Sequence, residues 1–253
     1  MDMFLWTTFS ALWVTAGIAG VIRLSRRRSL VSVLRVGLPV FTTATMLLVV
    51  GASPAGSSLP RILHHAGFTL LGVFLLTSEV LRARLRHLRR NLPFNEEAAD
   101  LCQCFRTASV LCAPPAAIII LLSGWRLMHD FGWSLRAPWL WWVFVLFSVM
   151  MWHGAFYWTA DAKRLAAEPQ KGLPRGLNLI MTAHGLLFLL IFAIAFNRAG
   201  RPWSHPCPRA IAALERGLSF LPGSWRAVGA AVGVWLVIGV VTGVAFRFSR
   251  PGK

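Results

Sequence analysis

The chain alternates long apolar runs with short polar ones rich in arginine. Seven apolar segments stand out, at 3–22, 36–52, 62–81, 107–125, 138–160, 177–197 and 227–246. Each approaches the roughly 20 residues an α-helix needs to cross a hydrocarbon core, although 36–52 is short and carries Pro39. No strand-like alternation competes with them, and an open sheet would leave backbone groups unpaired in lipid. The predicted fold class is therefore all-α: a polytopic transmembrane helical bundle of about seven spans around a four-helix core. The predicted organisation is two leading transmembrane helices over 1–59, the four-helix transmembrane core over 60–197, and an outer loop with the final transmembrane helix over 198–253. Within that loop, 209–221 reads as a short helix on the outer surface.

Composition supports this pattern. Of 253 residues, 56% are hydrophobic and 14% charged. The net charge of +17 would suggest nucleic acid in a soluble protein. Here the arginines lie between apolar runs, where they meet anionic headgroups and fix orientation, so the expected partner is the lipid bilayer and not nucleic acid. Loops 23–35, 82–106 and 161–176 with the tail 247–253 carry 18 of the 26 Lys and Arg residues. That side is expected to be cytoplasmic, with the N-terminus outside and the C-terminus inside. The stretch MDMFLWTTFSALWVTAGIAG has no basic leader and contains Asp2, so it reads as a retained span rather than a signal peptide. Six tryptophans (125, 133, 139, 141, 142 and 203) fall near outer span ends, as interfacial anchors do. Cys102 and Cys104 are placed in a cytoplasmic loop as reduced thiols, and the four cysteines imply no disulfide framework.

The candidate chemistry lies in histidines at intramembrane positions, where an ionisable side chain is costly. His153 is eight residues before Asp161, and His184 is nine after Arg175. Both then lie roughly 12–13 Å inside the cytoplasmic ends of consecutive, antiparallel spans. Two imidazoles at matched depth can hold one ligand. Gly154 and Gly185 follow them, and a small residue permits close approach. Tyr157 is one turn from His153 on the same face. A second, outer group comprises His64, His65 and His129, the last beside Asp130, while His87 sits among arginines. Haem b suits the inner pair, because imidazole is an axial ligand for haem iron and a bundle interior takes up the apolar ring. Copper or zinc at His153, His184, His64 or His129 is the weaker metal reading, since no third or fourth ligand is evident. Glu79 reads as a partner of Arg82 or Arg86, or as a proton relay near the inner pair. His205-Pro-Cys207-Pro208 reads as a proline-stiffened loop, with metal or haem binding as the alternative.

Two stretches resemble a known family. LPRILHHAGFTLLGVFLLTSEVLRARLRH resembles the first helix of HemJ-type membrane proteins, which opens and closes on a histidine. PPAAIIILLSGWRLMHDFGWSLRAPWLWWVFVLFSVMMWHGAFYW is similar to that family's second and third helices. The region 60–197 is more similar still to a widespread group of bacterial integral membrane proteins of four-helix design, related to HemJ-type and CopD-type proteins. The resemblance implies a bacterial inner-membrane location, haem b binding and protoporphyrinogen oxidation. Under it, His64 or His65 matches the first-helix histidine, His87 the one closing that helix, and His153 the third-helix one. The chain departs from the family in three places. WLWWVFVLF lacks a lysine, Arg175-Gly-Leu-Asn178-Leu lacks the acid, and the C-terminal Lys-Pro is missing. Haem binding is thus implied more strongly than the oxidase reaction.

The expectation from sequence is a haem protein for electron transfer or haem-related redox chemistry. The alternatives are a non-catalytic accessory subunit or assembly factor, bound to other membrane-protein subunits, and a copper-handling permease using Met150, Met151 and Met181.

Overall fold

The computed structural model describes residues 30–54, 56–91, 96–167, 175–196, 205–223 and 225–249. These are helical apart from short connections, and no strand occurs among them. In chain order the helices are α1 (Leu30–Ala52), α2 (Leu59–Asn91), α3 (Glu96–Leu111), α4 (Ala113–Phe131) and α5 (Pro138–His153). A π-turn over Gly154–Trp158 follows, then α6 (Thr159–Ala167), α7 (Arg175–Phe196), α8 (Pro208–Gly217) and α9 (Trp225–Ser249). The expected all-α membrane bundle is therefore observed. Among the described residues, four stretches are long and apolar enough to cross a membrane: Leu59–His87, Glu97–Phe131, Pro138–Leu165 and Trp225–Phe248. Gly37–Ala52 and Met181–Ala195 are shorter apolar helices. The span expected at 3–22 lies outside the described residues, as do residues 168–174 of the 161–176 loop, whose remaining residues are helical in α6 and α7.

Helix boundaries follow local chemistry. The 82–106 loop is a correction: α2 runs on to Asn91, and helix resumes at Glu96, so Cys102 and Cys104 are helical. The sequence EEAADLCQC is made largely of residues that tolerate helix well, and charge alone does not end a helix. Cys102 is buried and Cys104 exposed. Pro114 and Pro115 fall in the first turn of α4, where a missing N–H costs little. The chain is barely interrupted at Cys112, whose N–H reaches Ala108 O and whose carbonyl accepts from Ala116. At its other end α4 closes on Gly132, with φ +62°. There the Trp133 N–H reaches back to Met128 O, a left-handed cap that glycine permits. The short helix expected at 209–221 is present as Pro208–Gly217.

The chain divides into two compact units, Met1–Phe74 with Gln103–Leu127, and Leu75–Cys102 with Met128–Lys253. In the first unit, Gly67 allows α2 to close on α4, since a Cβ there would stand 2.8 Å from a side-chain carbon of Ile120 and 3.2 Å from its backbone nitrogen. Arg126 donates to Val50 O and Ser53 O, satisfying carbonyls at the end of α1. In the second unit, α5 packs against α7 and α9, and α8 packs against α9. Gly239 of α9 lies under the indole of Trp152, where a Cβ would come within 2.5 Å of the ring. The same indole N–H donates to Trp235 O at 2.9 Å. Leu76, Val80, Leu186, Leu189, Val240 and Val241 are exposed, as outward faces of membrane helices require.

Candidate functional site: an aromatic and imidazole column in the second unit

His153 is the last residue of α5, and the helix then widens into the π-turn Gly154–Trp158 before regaining α geometry. π-Turns inside helices are rare and occur often at functional sites. The widening carries Tyr157 against His153, with ring centroids 4.6 Å apart and planes 26° apart. On its α7 neighbour, His184 stacks with His153 at 5.2 Å and 29°. Trp158 meets His184 edge-on at 5.1 Å. Tyr157 in turn abuts Phe246 of α9. The sequence placed His153, His184 and Tyr157 together, and the structure does bring these three side chains into contact.

The two imidazoles are not equivalent. His184 is buried, and its Nε2 lies 3.0 Å from Met150 O. A carbonyl can only accept, so Nε2 carries the proton and donates. Met150 O also accepts from the backbone N–H of Gly154, so the turn and the imidazole share one acceptor. His153 is half-buried, and among the described residues neither of its ring nitrogens makes a hydrogen bond. The glycines do less than expected. A Cβ at Gly154 would stand 3.6 Å from His184 Nε2, an ordinary contact, and one at Gly185 would meet open space. The close approaches belong to Gly239 and Gly67 instead, because they face a rigid indole and a neighbouring backbone.

The histidines that the sequence grouped on the outer side have separate fates. His64, in the first unit, directs Nδ1 at Ile120 O and Ser123 Oγ, each at 3.1 Å, and packs edge-on against Phe68. His65 follows it on the helix and is exposed. His129, in the second unit, pairs with Asp130 at 3.3 Å and meets Trp225 at a tilt of 51°, ring centroids 4.7 Å apart. Trp225 opens α9, whereas Phe246, beside the His153 column, is 21 residues further along that helix. His129 is therefore roughly 30 Å from the column, at about 1.5 Å per residue, and shares no ligand with His153. His205 has both nitrogens in use: Nε2 with Leu135 O at 2.6 Å, and Nδ1 accepting from the Cys207 N–H. It is a loop clamp, braced by Trp141. Glu79 pairs with Arg82, which also donates to Thr182 of α7 at 2.7 Å. His87 is exposed.

Among the described residues no group of three His, Cys, Asp or Glu side chains could hold a metal ion. The copper or zinc reading thus acquires no third ligand. Nor do the stacked faces of His153 and His184 suit a bis-histidine haem, which needs two ring edges pointed at one iron from opposite sides. A single axial bond from His153 fits the donor chemistry, because stacking occupies a ring's faces and leaves its edge. Sequence reasoning missed Trp158 and the Met150 carbonyl. Trp158 follows Gly154 by four residues and was legible as a same-side neighbour. A backbone acceptor carries no sequence signal.

Residues 58–197 match the family described as predicted integral membrane protein (DUF2269), which is more than half of the chain. No curated protein and no solved structure matches it. The chain belongs to the DUF2269 family of integral membrane proteins.

Proposed function

We propose that this DUF2269-family membrane protein binds haem b through His153 and serves electron transfer or haem-related redox chemistry in the bacterial inner membrane. In this reading the N-terminus is outside and the C-terminus cytoplasmic, as the arginine distribution favours. The observation that carries it is the inequality of the two imidazoles. His184 is fixed by a carbonyl and a tryptophan edge, and His153 keeps both nitrogens unbonded among the described residues. A polar ring nitrogen left unbonded inside an apolar span is costly, and a metal that takes its lone pair removes that cost. Bound haem would supply a one-electron couple at this point.

The other residues prepare the ring. Tyr157 and His184 hold its plane by stacking. The π-turn gives Tyr157 its position, and the His184–Met150 bond fixes α7 against α5. Lys163 and Arg164 lie on α6, at the end this reading takes as cytoplasmic, where basic groups would meet the propionates. The likeness to HemJ-type proteins noted above agrees with this haem reading.

The test is an absorption spectrum of detergent-purified protein, oxidised and then dithionite-reduced. The expected result is a Soret band that His153→Ala abolishes and His184→Ala shifts while retaining. A colourless, folded protein from haem-replete cells would overturn the reading and favour the accessory-subunit role.

A further inference from the structure

We infer that the opposite end of the second unit carries an anion site for a phosphate group, separate from the imidazole column. A cleft of 370 Å³ opens there between α8, the turn that follows it, the 132–136 connection and the start of α9. Three guanidinium groups line it, from Arg136, Arg216 and Arg226, against one carboxylate, Glu215. The carboxylate is already satisfied. Glu215 is buried, its Oε1 accepts from Ser134 Oγ, and its Oε2 pairs with Arg136. That leaves two cations, Arg216 and Arg226, without a counter-charge among the described residues. Arg226 spends its Nε on Leu221 O at 2.9 Å and its Nη2 on Ser219 O at 3.2 Å, which sets the guanidinium plane and leaves Nη1 unused. Arg216 makes no hydrogen bond or ion pair among the described residues.

The walls leave this charge accessible. Gly132 and Gly223 both line the cleft with positive φ, +62° and +34°, and open space stands where a side chain would be at each. The cleft is also the place where the 25-residue α9 begins, so the positive end of its dipole adds to the guanidinium charge. Two arginines in a wide, unscreened cleft match the bidentate geometry of a phosphate better than a monatomic anion. Trp133, Trp139 and Trp225 lie at this end, as side chains at a membrane–water boundary do, and Phe220 of the α8–α9 turn is 77% exposed. The ligand chemistry is therefore a phosphate ester, either the headgroup of an acidic phospholipid or a soluble organophosphate.

The experiment measures thermal unfolding of the full-length protein in neutral detergent, titrated separately with phosphatidylglycerol, phosphatidylcholine and sn-glycerol 3-phosphate. Stabilisation by phosphatidylglycerol alone supports the site and assigns it to lipid. Stabilisation by glycerol phosphate as well supports the site and assigns it to a soluble ester. Arg216→Ala makes no bond that folding needs and is expected to weaken the effective ligand about tenfold, as removal of a charged hydrogen bond does. Arg209→Ala, on α8 but outside the cleft, is expected to change nothing. If neither phosphatidylglycerol nor glycerol phosphate stabilises, if phosphatidylcholine stabilises as much as phosphatidylglycerol, or if Arg209→Ala weakens binding as much as Arg216→Ala, the assignment is wrong.

Discussion

His64 and His153 pose the same problem and meet it differently. Each is an imidazole in an apolar helix, and each faces a neighbouring helix of its own unit. His64 solves it locally, with Nδ1 placed between a carbonyl and a hydroxyl of α4. Ser123 is itself bonded back to Ile119 O, so His64 Nδ1 and this hydroxyl are both partnered within two helices. Among the described residues, His153 meets ring faces and no hydrogen-bond partner, and its neighbour His184 has turned its proton toward a backbone carbonyl. An intramembrane histidine is thus not in itself a functional residue. One that knits two helices is architecture, and one left with open nitrogens between aromatic neighbours is available for chemistry.

The comparison can be strained first at its scaffolds. Gly239→Ala pushes a Cβ into the rigid Trp152 indole beside the column, and Gly67→Ala pushes one toward the α4 backbone beside His64. Each is expected to destabilise by about 1–3 kcal/mol, the usual range for overpacking, with Gly239→Ala the larger. Thermal unfolding in detergent at a fixed scan rate measures both. If Gly239→Ala behaves like wild type, α9 is not clamped on Trp152.

Exchanging the histidines themselves is the sharper test. His64→Ala is expected to cost about 1 kcal/mol of stability and to leave any bound haem intact. His153→Ala loses no hydrogen bond but two ring stacks, so it is expected to cost about 1 kcal/mol besides any contribution from bound haem, and to remove the haem spectrum. Unfolding midpoints and reduced-minus-oxidised spectra on the same preparations give both readouts. Reversal of this pattern would exchange the roles of the two sites.

Smaller effects refine the picture. Ser123→Ala removes one of two acceptors on His64 and should cost about 0.6 kcal/mol, the typical value of a hydrogen bond between membrane helices. Tyr157→Phe keeps the stack and should leave the unfolding midpoint unchanged. A loss of stability there would show that the phenol hydroxyl, rather than the ring, holds the π-turn.

Much of the fold was legible because its governing signal is linear. Six of the seven apolar runs fall on described helices, since burying a backbone in lipid demands helix wherever apolar residues run long enough. Boundaries were less legible. Charged residues at 82–106 looked like a loop, yet a helix tolerates arginine and glutamate well and needs a stronger signal to stop. The inner site was partly legible too, because His153 and His184 share a depth and Tyr157 shares a face with His153. Glu215 had a signal that went unused: it is the one acid between residues 198 and 226, surrounded by arginines.

What the sequence determined by itself was the class of the protein and the spacing of its polar residues along the helices. Run length, charge placement and helical periodicity are properties of the chain alone. Among the described residues, tertiary structure decided which histidine is spent and which is open, which glycine is needed, and that one arginine in the cleft beside α8 is paired while another is not. Those outcomes depend on the rotation of one helix against another and on backbone carbonyls such as Met150 O and Ile120 O. Every residue carries such a carbonyl, so no sequence pattern marks the one that will accept the bond.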